Sequence, residues 1–138
     1  MKPYRVFDHT ADLGVEVFGK TIQELYANAA FAVYDLMADL HDVQAQETRK
    51  IVVEGADRED LLVNYLREVL YLFNGNRLLL KSFIINEMDD RHLEGEVRGE
   101  TFDPGRHHLK REIKAVTYHG TQIAEAPEGW RGRVIFDV

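Results

Sequence analysis

The chain has 138 residues, of which 45% are hydrophobic and 30% are charged, as in an ordinary globular protein. It contains no cysteine, which excludes disulfides, thiolate nucleophiles and thiolate zinc sites and fits an intracellular, cytoplasmic protein. A net charge of −7 disfavours strong direct binding to nucleic acid, and no apolar run is long enough to span a membrane.

The first part of the chain predicts two strands and a helix. Strands are expected over residues 4–8 and 13–18, because apolar residues alternate with others along the second of them. Thr21 and Glu24 then form a capping box, which predicts a helix whose apolar stripe ends near Asp39.

A second helix and a series of strands are predicted for the rest of the chain. After a short strand over 51–53, a helix begins at Asp57 and stops at the breaker Asn74-Gly75-Asn76. The segment 101–108 contains a Pro-Gly pair and is expected to be a loop. The further predicted strands cover residues 78–86, 92–98, 110–118 and 130–138.

The order of these elements differs from the strict alternation of strands and helices in a doubly wound sheet. It favours an α+β fold, in which two helices pack on a mixed or antiparallel sheet. We find no linker or internal repeat, so residues 1–138 are predicted to form a single domain.

Carboxylates stand at two strand ends. The segment Asp8-His9-Thr10-Ala11-Asp12 suits a turn or a metal-binding loop, and spacing alone leaves both readings open. At the other end of the chain, a buried strand would bring the Asp137 side chain and the Val138 carboxylate to one spot. If Asp12 lies near them, the like charges need a cation; otherwise Asp137 is simply solvated.

Two other positions combine charge with an unusual context. The basic segment 106–111 is expected to be a solvated rim, and the adjacent His107 and His108 point in opposite directions on a strand, which argues against a zinc site there. Lys114 lies in a predicted apolar strand, where it either faces water or neutralises a carboxylate cluster or a partner's acidic group. The sequence has no nucleophile elbow, phosphate loop or dinucleotide-binding motif.

Taken together, five segments resemble the archease family, from about residue 4 to the last residue. They are the segment 8–14 (DHTADLG), the helix start at 60–62, Gly99-Glu100 with Asp103 and Arg106-His107, the segment 113–119 (IKAVTYH), and the ending 136–138 (FDV). The resemblance implies an accessory protein, not an enzyme, whose partner is an RtcB-type RNA ligase that acts in tRNA splicing and RNA repair. The resemblance further implies that the accessory protein promotes guanylylation of the ligase's histidine and multiple turnover, and that it broadens which nucleotide triphosphate the ligase accepts.

The resemblance also implies site residues. A divalent metal, Ca²⁺ before Mg²⁺ or Mn²⁺, is expected at Asp12 and Asp137 with a main-chain oxygen of Val138. Lys114 is carried over as a functional lysine. Further positions expected to serve activation or partner contact are Asp8, His9, His107 and His119.

Two other functions remain as alternatives. One is a stand-alone metal-dependent phosphohydrolase that uses Asp8, His9 and Asp12. The other is a general chaperone or modulator of nucleic-acid-processing proteins, whose action would not depend on Asp12.

Overall fold

The computed structural model describes residues 3–9 and 12–138. Its two helices are α1 (Ile22–Met37) and α2 (Arg58–Asn74). The strands within these ranges are β1 (Tyr4–His9), β2 (Asp12–Gly19), β3 (Ala38–Asp39), β4 (Glu47–Glu54), β5 (Leu78–Met88), β6 (His92–Thr101), β7 (His108–Leu109), β8 (Ala115–Ala126) and β9 (Gly129–Asp137).

Both helices begin at the predicted capping residues. The Thr21 hydroxyl accepts a hydrogen bond from the Glu24 N–H at 3.1 Å. The Asp57 carboxylate likewise accepts one from the Asp60 N–H at 2.8 Å. Each bond satisfies an N–H that the helix itself leaves without a partner, so the predicted starts of both helices are confirmed.

The strands form three sheets in which every pair is antiparallel. The orders are β1-β2-β9-β8, β4-β6-β5 and the short pair β3-β7. Each helix contacts strands of both larger sheets, so the helices lie between them. The predicted α+β fold with two helices and antiparallel strands is confirmed, and the structure adds a second sheet on the far side of the helices.

The core lies on both sides of the helix layer. On one side, Val15 and Val17 of β2 and Val134 and Phe136 of β9 are at most 1% exposed. Both helices bury more than one stripe, as expected for helices covered on two faces. Neither helix combines the length and apolarity needed to cross a membrane.

The predicted strand over 110–118 is wrong at both ends. Residues 110–114 form no strand, because the Lys110 and Arg111 N–H groups donate to the Met37 carbonyl at the end of α1, at 2.7 and 3.3 Å. The strand β8 begins only at Ala115 and continues to Ala126 through polar residues that gave no apolar alternation. The short strand predicted over 51–53 is also longer, since β4 starts at Glu47.

Candidate functional site

The predicted metal ligands occupy neighbouring positions at one end of the strands in the four-stranded sheet. Strands β2 and β9 pair antiparallel with Leu13 opposite Phe136. Continuing this register by one residue sets Asp12 opposite Asp137. Residues directly opposite in such a pair have side chains on the same face and Cα atoms about 4.5–5.5 Å apart. The side chains of Asp12 and Asp137 therefore extend from neighbouring backbone positions on the same face of the sheet.

Lys114 lies beside these aspartates. Its N–H donates to the Asp137 carbonyl at 2.8 Å, and the next residue, Ala115, is opposite Asp137 in the β8–β9 ladder. Lys114 is exposed and precedes β8, so its predicted place inside an apolar strand is wrong. We call Asp12, Lys114, Asp137 and Val138 the strand-end site.

The donor chemistry of the strand-end site suits a hard cation. Asp137 is exposed and Val138 is 39% exposed, while Asp12 is half-buried. Carboxylate and main-chain oxygens are ligands that Ca²⁺ and Mg²⁺ prefer. Among the described residues, no group of three or more acidic or histidine side chains could hold a metal. Two carboxylates would thus leave most of the about six to eight oxygen ligands of Ca²⁺ to main-chain groups and water.

The other candidates of the first segment have only their backbones described. In β1, Asp8 is opposite Leu13 and His9 is opposite Asp12. The main chain of His9 therefore adjoins the strand-end site. The side chains of Asp8 and His9 lie outside the described part of the structure, so their roles stay predictions.

Next to the loop 102–107, a buried acid holds three groups together. The Glu100 carboxylate pairs with the Arg106 guanidinium and accepts the Gln44 N–H at 2.7 Å. The third group is the His107 ring, whose Nε2 lies 3.1 Å from Glu100 Oε2. The Asp103 N–H donates to His107 Nδ1 at 2.8 Å, so the proton of the neutral ring is on Nε2 and points at Glu100. Chiefly through the Arg106 hydrogen bond, the pKa of Glu100 falls from 4.5 to about 2.

The expected solvated rim is wrong only at His107, because Arg106 and residues 108–111 are exposed. The His107 side chain is fully buried and stacks on Phe102, with ring centroids 6.0 Å apart. A buried imidazole cannot touch a partner, so any effect of His107 on activation would pass through the position of the loop. Strand alternation would place Glu100 outward on β6, so periodicity does not predict its burial. The family motif marked Glu100, Asp103, Arg106 and His107 but not the contacts among them.

His119 lies in an irregular part of β8. Residues 118–121 interrupt the ladder, which resumes at Gln122 opposite Arg133. At the first of these residues, the Tyr118 hydroxyl donates to Asp60 Oδ1 at 2.7 Å, and the Arg67 guanidinium lies 4.5 Å from the ring centroid of Tyr118. These contacts with α2 fix the start of the interruption, and His119 is exposed directly after it.

The comparison with known proteins covers the same residues. The Archease protein family (MTH1598/TM1083) matches residues 4–138. A protein archease from Sulfurisphaera tokodaii is 35% identical over 89% of both chains, and one from Pyrococcus abyssi is 33% identical over the whole of both. The chain belongs to the archease family.

Solved structures agree with the archease assignment. The solution structure of Methanobacterium thermoautotrophicum Protein 1598 is 34% identical and matches all of both chains with a TM-score of 0.83. An archease from Thermotoga maritima, described as a possible chaperone, has a TM-score of 0.62 at 19% identity, over 96% of this chain and 94% of that one. This second likeness concerns the fold alone. The family resemblance drawn from the sequence motifs is confirmed.

Proposed function

We propose that this archease-family chain is an accessory protein that activates an RtcB-type RNA ligase by promoting its guanylylation and multiple turnover. The observation that supports the proposal best is the strand-end site, where two carboxylates on paired strands adjoin an exposed lysine. Lys114, Asp137 and Val138 are exposed at these strand ends, which makes them accessible to a partner's active site. The proposal extends to tRNA splicing as the process and to a protein partner rather than direct strong contact with RNA.

A divalent cation, Ca²⁺ before Mg²⁺ or Mn²⁺, would be held by the carboxylates of Asp12 and Asp137 and a main-chain oxygen of Val138. When bound, it would supply positive charge against the phosphates of a nucleotide during nucleotidyl transfer. The chain's own contribution is positional. The backbone hydrogen bond between Lys114 and Asp137 holds the main chain of Lys114 beside that of Asp137, and the exposed Lys114 side chain can contact an acidic group of the ligase or its nucleotide.

The test is a time course of ligase guanylylation with and without this protein. Asp137→Asn should lower Ca²⁺ affinity and the stimulation of guanylylation by on the order of tenfold, because a neutral amide replaces a charged ligand. Glu87→Gln is the matched control, since Glu87 is also an exposed carboxylate and lies on β5, in the other large sheet. Lys114→Gln should weaken stimulation but leave Ca²⁺ affinity unchanged. Full stimulation by Asp137→Asn and Lys114→Gln would contradict the proposal.

The same proteins separate the two other functions. A stand-alone phosphohydrolase would cleave phosphate esters without the ligase and lose that activity with Asp12→Asn. A general chaperone would suppress aggregation of unrelated proteins, and Asp137→Asn would not alter the suppression. An activator alone should be inert in both assays.

A further inference from the structure

A cleft of about 400 Å³ lies between the C-terminal end of α2 and the segment 109–113. Its apolar wall includes Phe73 and Leu109, and its charged wall includes Arg77, Lys110 and Arg111. We call it the α2-end cleft. No residue of the strand-end site lines it, although Lys114 directly follows its last lining residue, Ile113.

Cations outnumber carboxylates by three to one among the residues that line this cleft. No carboxylate there forms an ion pair with Arg77, Lys110 or Arg111, although Glu112 also lines the cleft. Other arginines, such as Arg58, do pair with carboxylates. The chain has 24 acidic residues and 17 basic ones, so acidic partners are plentiful. Three unpaired cations against one carboxylate give the cleft a net positive charge, which a bound anion would offset.

Arg77 adds a second, independent observation. Its φ of 56° is the sole left-handed value of a non-glycine residue in the described chain. This conformation after a helix is usually taken by Gly or Asn, and it is strained for arginine. The Arg77 guanidinium lies 4.5 Å from the ring centroid of Phe73 and 5.2 Å from that of Phe102. Its position at the cleft is therefore fixed before any ligand arrives, which lowers the entropy lost on binding.

We propose that the α2-end cleft binds the phosphate of a nucleotide, either free or at the end of an RNA chain. Arg77 and Arg111 would donate N–H groups to the phosphate oxygens, and Lys110 would add a third positive charge. Leu109, which is 38% exposed, offers apolar contact to the sugar or base. The Glu112 carboxylate repels phosphate and can accept a hydrogen bond from a hydroxyl or amino group, which orients the ligand. This proposal does not depend on ligase activation.

A structural role for the same cations makes a different prediction. The C-terminal ends of helices carry partial negative charge, and cations nearby stabilise them. If Lys110 and Arg111 act only in this way, their replacement lowers the free energy of unfolding and leaves anion binding unchanged.

The experiment is calorimetric titration of the full chain with ATP, with a short RNA that ends in a 3′-phosphate, and with the same RNA ending in a 3′-hydroxyl. The variant Lys110→Gln/Arg111→Gln is compared with Lys20→Gln/Arg91→Gln. The second variant removes the same charge from Lys20 and Arg91, which are exposed, lie outside the cleft and form no ion pair within the described chain. Thermal unfolding of each variant is measured in parallel.

We expect the cleft variant to lose about tenfold in affinity for the phosphate-bearing ligand and the control to keep wild-type affinity. Arg77→Gln alone should show a smaller loss of the same kind. Binding of ATP identifies a free nucleotide, and a preference for the 3′-phosphate RNA over its 3′-hydroxyl form identifies an RNA end. Equal losses in both double variants, a wild-type chain that binds none of the three ligands, or lowered stability with unchanged affinity would each overturn the proposal.

Discussion

Glu100 is the residue whose ionisation holds the loop 102–107 against the sheet. It is 6% exposed and touches Arg106, His107 and the Gln44 N–H. A charge this well buried is stable only while its partners surround it. At the scale of single residues, the loop therefore depends on one carboxylate.

Glu100→Gln should lower the free energy of unfolding by about 1–3 kcal/mol at pH 7, because the hydrogen bonds to the charged acceptor weaken. The folded-state pKa of about 2 lies below the ordinary value of 4.5, so the carboxylate stabilises the fold fully above pH 4.5. This stabilisation is lost as the pH falls towards 2. Urea unfolding between pH 7 and 2 should thus show the wild type and the variant converging.

Glu96→Gln is the control on the same strand. Glu96 pairs with Arg98 at 3.4 Å, and both side chains are more than a third exposed, so this replacement should change stability by less than about 0.5 kcal/mol. A difference between Glu100→Gln and wild type that stays constant down to pH 2 would contradict the assigned ionisation.

Single residues also show which parts of the candidate site sequence reasoning can reach. Asp12 precedes a strand with apolar alternation and Asp137 follows the apolar run 134–136, and the family resemblance then singled out both as ligands. The contacts of Glu100 could not be predicted in this way, since they join β6 to a loop and to Gln44, which is 56 residues away in the chain. Burial here results from tertiary packing, which leaves no local periodicity.

At the scale of elements, β8 is the strand most shaped by its neighbours. Its first residues are held to α2 by Arg67, whose guanidinium donates to the Val116 carbonyl at 3.1 and 3.2 Å, and by the Tyr118 hydrogen bond to Asp60. Its ladder with β9 is interrupted over residues 118–121. The helix thus anchors the strand where the sheet does not.

Tyr118→Phe should loosen the interrupted part of β8, because the bond to Asp60 is lost while the ring can still stack under Arg67. We expect about 1 kcal/mol less stability and faster amide exchange around residues 116–122. Hydrogen-exchange mass spectrometry measures this. Tyr71→Phe is the control, since Tyr71 is 57% exposed and its hydroxyl has no hydrogen bond within the described chain. Unchanged exchange in Tyr118→Phe would contradict the anchoring role.

The elements were predictable to different degrees for physical reasons. The caps at Thr21 and Asp57 are local, and both helices begin where predicted. The second half of β8 is an exposed strand at the sheet's edge, so its residues lack the apolar alternation of a half-buried strand. The segment 110–114 has one apolar residue, Ile113, and its first two N–H groups bond to the end of α1 instead of to a strand.

At the scale of the whole molecule, a tyrosine hydrogen bond joins the two helices that lie between the sheets. The Tyr34 hydroxyl of α1 donates to the Val69 carbonyl of α2 at 2.6 Å in a fully buried position. Tyr65 of α2 is also buried, but its hydroxyl has no partner among the described residues. The two residues therefore differ in what their hydroxyl groups contribute.

Tyr34→Phe should cost about 1–2 kcal/mol, because a buried hydrogen bond between the helices is lost. Tyr65→Phe should be neutral or stabilising, because it removes a buried polar atom that has no hydrogen bond. Urea unfolding of the two variants, which lose the same single atom, gives a direct comparison. Equal destabilisation by both variants would contradict a stabilising role for the Tyr34 hydrogen bond.

The two larger sheets are completed at different stages as the chain is synthesised. The sheet β4-β6-β5 is built from one continuous stretch, residues 47–101, and can pair as soon as that stretch has emerged. Strand β9 lies between β2 and β8, and it emerges after both. Until then the β1–β2 hairpin keeps the edge of β2 that pairs with β9 free. A pause in translation before β9 therefore exposes a hairpin that can pair with other nascent chains.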